Sequence, residues 1–237
     1  MRLSEIHEQI GLSFIAGFID TLSIIGLSGL FTAQVTGDLI LAAAHLATPY
    51  GRDATADIAM IALFAIVVVL VTWLAHSRVC TRRSRSWRVR LFLTMELLLL
   101  VGFWWAGVAI SGPVFPLDAP QHVIPVAAFA VSAMAIQFAL PGLLGEERLP
   151  TTVMTGNLMR TAQGFAMLAR PHHARGGADD LAARAQMRKA APGLIAFFAG
   201  AALGAPLTVW LHFNAVVVPC AALLAVMQAK ARMAGQE

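Results

Sequence analysis

The chain has 237 residues, of which 58% are hydrophobic and 13% charged. Soluble domains average about 25% charged residues, so half that share, with several long apolar runs, places the chain in the membrane class. The formal net charge of +4 is no nucleic-acid signal: the Arg residues cluster between apolar runs, where they set topology, and a single Tyr leaves no aromatic–basic interleaving to stack bases.

In chain order, the first apolar run covers about 11–30 and carries Asp20 midway. It is too long for the core of a signal peptide, has an acid in its middle and lacks a small-x-small cleavage site, so it reads as a retained span. It ends in "FTAQVTGDLI", residues 31–40, and "PTTVMTGNLM", residues 150–159, nearly repeats that phrase. Thr32 falls on Thr151, Thr36 on Thr155, Gly37 on Gly156, Asp38 on Asn157 and Leu39 on Leu158. Further spans are expected at about 57–76, 91–111, 123–143, 191–211 and 213–229, each near the roughly 20 residues that a crossing helix needs. The two Thr-Gly segments, about 32–48 and 151–168, are short: they either re-enter or cross fully. The loops 77–90 and 169–190 are basic, the second with helix from about 179, and 112–122 is Pro-rich without Lys or Arg. Gly200 and Gly204 form a small-xxx-small face for close helix packing. Cys80 and Cys220 belong to no CxxC pair, and neither a disulfide nor a metal site is expected.

Charge chooses among the topologies. If neither Thr-Gly segment crosses, the N-terminus, 77–90, 144–190 and the C-terminus share one side, with 16 of the 17 Lys and Arg residues, leaving only Arg52 opposite. If both cross, the bias vanishes. Six spans with both termini cytoplasmic are therefore expected, although a version in which only 32–48 crosses differs by Arg2 alone. Three spans per half make the halves antiparallel. The expected fold is a single all-α polytopic membrane domain, an inverted 3+3 repeat (repeat one about 11–111, repeat two about 123–229) with two broken Thr-Gly helices meeting near the middle, a layout many secondary transporters use. Asp20 aligns with Ala139, so the halves are not chemically equivalent.

"AGFIDTLSIIGLSGLFTAQVTGDL" (16–39) and "AIQFALPGLLGEERLPTTVMTGNLMR" (135–160) resemble the YoaK-like family of bacterial inner-membrane proteins, a domain of unknown function. Ala16, Gly17 and Asp20 match its opening, Thr36 and Gly37 its first Thr-Gly, Gln137 its Gln, and Thr151, Thr152, Thr155 and Gly156 its second Thr-Gly. Asp38 and Phe138 depart from it, standing where Asn is usual. The resemblance covers about 11–229 and implies a multi-pass bacterial membrane protein without an established activity.

A carboxylate midway along a span costs about 2.5–3.5 kcal/mol on insertion scales unless paired, hydrated or protonated. Asp20 is therefore either a proton or ion site or an acid satisfied by neighbouring hydroxyls. The Thr-Gly phrases read as helix N-termini, whose free N–H groups favour an anion if they are not simply capped. Asp38 argues against an anion on its own side. The expected substrate- or ion-binding set is Asp20, Thr32, Gln34, Thr36, Gly37, Asp38, Gln137, Thr151, Thr155, Gly156 and Asn157. Arg160 is expected to snorkel to the surface, Glu96 to be interfacial and paired, and His76 and His212 to end spans. "GLSG" (26–29) spells the Gly-x-Ser-Gly of rhomboid proteases, with His212 the nearest base, and Asp20 with "TGD" suggests an aspartyl protease. The first motif is short and ends a helix, and the second fails at Val35, so no enzyme is expected. No HExxH, P-loop or carboxylate cluster is present, so neither cofactor nor metal is expected. The expected function is transport of a small solute or ion, with proton coupling through Asp20 or Asp38 as an option. The alternative is a non-transporting assembly or sensor protein. The expected partners are the lipid bilayer, the solute and, as an option, a second copy of the chain.

Overall fold

Long apolar runs with few internal breakers leave the backbone one way to satisfy its N–H and C=O groups in lipid, which is the α-helix. The computed structural model describes residues 3–47, 54–112, 115–143, 154–170 and 177–234, and among them there is no strand. The helices are α1 (Leu3–Gly26), α2 (Val35–Ala47), α3 (Thr55–Ala75), α4 (Arg78–Thr81), α5 (Arg85–Ser111), α6 (Pro120–Leu143), α7 (Met154–Leu168), α8 (Gly177–Leu211) and α9 (Val217–Ala234), with a 3₁₀ turn at His212–Val216 between the last two.

Ile6–Gly26, Thr55–Ala75, Arg85–Ser111 and Pro120–Leu143 are long and apolar enough to cross, as is the continuous stretch Asp180–Arg232. That stretch would be about 80 Å long if straight, far more than the roughly 30 Å of a bilayer core. The turn folds it in two: His212 adopts φ 53° there, and α9 runs back along α1 until Lys230 meets the buried Glu8. Among the described residues six helices therefore have spanning length, and the two Thr-Gly segments become the short α2 and α7. The basic segment 169–190 is helical from Gly177. Asp180 sits at the end of the first turn, where negative charge suits the helix dipole, and the Ala-rich run after it has high helix propensity.

The tightest contact is between α1 and α8, which run parallel. A Cβ on Gly17 would lie 2.1 Å from the Phe197 carbonyl oxygen, and one on Gly200 2.1 Å from that of Phe14. Each glycine admits the other helix's backbone, and Gly204 repeats the approach one turn on, at Phe18.

Let the near end of the bundle be the one where α1 starts. The α5–α6 connection lies at the far end, where the Leu117 N–H donates to the Gly26 carbonyl at 2.9 Å. Hence α5 starts at the near end, and so α3, joined to it by the short segment 76–84, ends there. α3 packs along α6, so its own start is at the far end. The end of α2 is tied to that start by His45 Nδ1 and Asp57 Oδ2, 2.6 Å apart. α2 therefore enters from the far end and returns to it without crossing.

The pairing of helices is exchanged between the halves, as an inverted repeat requires. α1 packs on α8 and α6 on α3; α9 packs on α1 and α5 on α6; α2 packs on α3 and α7 on α8. α5 and α9 pair with each other across the seam, where Phe213 of the 3₁₀ turn lies edge-on to Phe103. The two Thr-Gly helices do not pack on each other as expected: each packs on the second long helix of its own half.

Candidate functional site

Local geometry at the end of α1 sends the chain back into the bundle. Ser28 (φ 53°) and Gly29 (φ 98°) take left-handed backbone conformations and reverse its direction. The Ser28 hydroxyl donates to the Leu117 carbonyl at 2.8 Å, and His212 stacks on Phe115, so the "GLSG" stretch is part of a helix-ending turn. The returning loop descends about six residues, or about 9 Å, along α1, where Asp20 receives it.

Asp20 is 2% exposed. Its Oδ1 accepts from the Thr32 N–H at 2.8 Å, the Ala33 N–H at 2.7 Å and the Thr32 hydroxyl at 3.1 Å. Its Oδ2 has no hydrogen-bond partner. Asp38, fully buried in the first turn of α2, reaches back so that its Oδ1 accepts from the Phe31 N–H at 2.9 Å. Gly37 sits over the Phe31 ring, where a Cβ would stand 3.0 Å away. Two carboxylates thus pin the dipped loop. In this half the loop N–H groups just ahead of α2, those of Thr32 and Ala33, are filled by a carboxylate of the chain itself, Asp20.

Of the expected site residues, this cluster gathers Asp20, Thr32, Gly37 and Asp38, with Gln34 half-buried beside it. Thr36 is exposed on α2 and outside the cluster. Gln137 does not join it: its amide donates to the Leu12 carbonyl at 2.9 Å, two turns of α1 away from Asp20. Phe138 packs edge-on against Phe64. Thr151 and Thr152 lie outside the described residues.

The second Thr-Gly helix copies the burial pattern of the first. Thr155 is exposed like Thr36, Gly156 half-buried like Gly37, and Asn157 fully buried like Asp38. It does not copy the bonding. Neither the oxygen nor the nitrogen of the Asn157 amide has a hydrogen-bond partner, although buried polar groups are nearly always satisfied.

Glu96 corrects an expectation. It is neither interfacial nor paired: it is fully buried in α5, and neither carboxyl oxygen has a hydrogen-bond partner. The nearby Arg run misleads because α5 starts at Arg85, which carries Glu96 about 16 Å into the helix. On α5 it shares its face with Leu93, Leu100 and Phe103, all buried, and Cys220 of α9 lies within its electrostatic reach. The His45–Asp57 contact is a second feature that sequence reading missed; only the pairing of α2 with α3 brings those residues together. Among the described residues, no three His, Cys, Asp or Glu side chains gather as a metal site would need.

No curated protein and no solved structure matches the chain. A family model, described as protein of unknown function (DUF1275), matches residues 9–229. The match spans all six long helices and both Thr-Gly phrases, and the chain belongs to that family.

Proposed function

We propose that this protein is a secondary transporter of a small solute or ion, of the YoaK-like kind, in a bacterial inner membrane with both termini cytoplasmic. The observation that carries the reading is the exchanged pairing of the two halves, each with one half-length helix whose first turn buries a polar residue, Asp38 or Asn157. Discontinuous helices in inverted repeats place substrate and coupling-ion sites away from lipid while leaving the rest of the scaffold free to rock. The coupling residue in this reading is Glu96 rather than Asp38: intramembrane acids mark proton relays, and Glu96 carries no hydrogen bond that would hold it in one state. Asp20, with Oδ2 open, is the second acid of the relay.

The test is solute-dependent proton movement in liposomes containing the purified protein. A panel of organic acids, amines, sugars and inorganic ions is offered under an imposed pH gradient. Transport predicts proton flux with at least one solute, lost in Glu96→Gln while that variant keeps the wild-type melting temperature. Absence of flux with the whole panel counts against the reading. One observation favours the alternative of a non-transporting assembly or sensor protein: Oδ1 of Asp20 is fully engaged in holding the loop, which is structural work.

A further inference from the structure

The two halves differ at the point where an anion would bind. In the first half, the N–H groups ahead of α2 converge on Asp20 Oδ1, at 2.8 Å from Thr32 and 2.7 Å from Ala33, and Asp38 takes the Phe31 N–H at 2.9 Å. The repeat replaces every acidic partner in the second half. Ala139 stands for Asp20, Asn157 for Asp38, and Pro150, which has no N–H to give, for Phe31. The consequence appears in the first turn of α7: Asn157 is fully buried, yet its amide is unpartnered at both ends. The first half shows what the backbone leading into such a helix holds, namely one carboxylate oxygen, on the N–H groups of Thr32 and Ala33.

We infer that the first turn of α7, where Asn157 is fully buried with its amide unpartnered and where the repeat puts Ala139 in place of the first half's acid, binds the carboxylate of a small organic acid. The α7 N-terminus supplies N–H groups and the positive end of the helix dipole, and the Asn157 Nδ2 supplies a further donor. Arg160 is half-buried and lies three residues on, at the spacing that puts it on the same helical face as Asn157. Asn in place of Asp is the choice that spares an incoming anion a like charge. A cation would find a single open acceptor, the Asn157 Oδ1, against the positive end of the helix dipole. The inference rests on the transport reading for its purpose and names the substrate class, but its evidence is binding and stands apart from flux.

The test is thermal stabilisation of the purified full chain in detergent at fixed pH and ionic strength, with acetate, lactate and benzoate as probes, chloride as the inorganic anion and methylammonium as the cation. A ligand that binds the folded state alone raises the melting temperature by mass action. At least one carboxylate is expected to stabilise the wild type, with chloride and methylammonium without effect. Asn157→Asp, which restores the charge of the first half, is expected to weaken that response at least tenfold in half-saturating concentration. Ala139→Asp, which restores the built-in occupant, is expected to abolish it. If Ala139→Asp does not fold, Asn157→Asp decides alone, with Asn157→Ser as its uncharged control, expected to keep a measurable response. No stabilisation by any carboxylate overturns the inference, as does an equal response to chloride or a response that Asn157→Asp leaves unchanged. Carboxylate binding without flux would sink the transport reading and leave this site standing. Flux of another solute class, with no carboxylate response, would do the opposite.

Discussion

Asp20 and Glu96 are both buried carboxyls in spanning helices, but one is surrounded by donors and the other is not. Asp20→Ala removes the shared acceptor of two backbone N–H groups and a hydroxyl. Each buried group left unpaired costs about 1–3 kcal/mol, so the variant is expected to melt well below wild type or to fail to fold. Asp20→Asn, whose amide oxygen still accepts, should fall between. An unchanged melting temperature for Asp20→Ala in detergent would contradict the assigned role. Glu96→Gln removes an ionisable group that makes no hydrogen bond, so its melting temperature is expected to stay within a few degrees of wild type; a collapse would mean that Glu96 is a structural partner after all. Asp20 was legible in the sequence because an acid within an apolar run has few innocent explanations. Glu96 was misread because α5 is apolar on nearly every face, which leaves no periodicity to show that Glu96 lies with Phe92, Leu100 and Phe103 rather than with the Arg residues behind it.

At the scale of elements, the repeated Thr-Gly phrase located α2 and α7 to within a few residues, since a helix N-terminus has a compact polar signature. The pairing of elements was less legible. Gly200 and Gly204 announced a close-packing face, but nothing local in the sequence names α1 as its partner; Gly17 does so only once the two helices are side by side. The chemistry of that contact is steric. Gly17→Leu drives a side chain into the Phe197 carbonyl and is expected to separate α1 from α8, read as loss of a monodisperse, cooperatively melting protein. Gly142→Ala, where an added Cβ meets open space, is expected to be neutral or to stabilise α6 by about 0.5–1 kcal/mol through helix propensity. Equal damage from both would show that the α1–α8 approach is looser than described. The helix expected from about 179 starts at Gly177 and runs without a break into the span; that continuity was not legible, because a charged, Ala-rich segment next to a span reads as a separate piece when hydropathy is the guide.

For the whole molecule, charge bias favoured six spans and left open whether 32–48 crosses. The structure answers through connectivity, because His45 and Asp57 tie the end of α2 to the far end of α3. The halves are then opposed in direction and unequal in chemistry, with Asp20 and Asp38 in the first where Ala139 and Asn157 stand in the second. The most direct test of that architecture is the sidedness of single cysteines in sealed vesicles, with Cys80 and Cys220 replaced and a membrane-impermeant thiol reagent applied from either side. Val79→Cys and Asp118→Cys mark the near and far ends. Ala47→Cys, at the end of α2, is expected to be labelled from the same side as Asp118→Cys, and Ala169→Cys, just beyond α7, from the same side as Val79→Cys. Labelling of Ala47→Cys from the Val79 side would mean that α2 crosses, and the inverted repeat with two returning helices would be wrong.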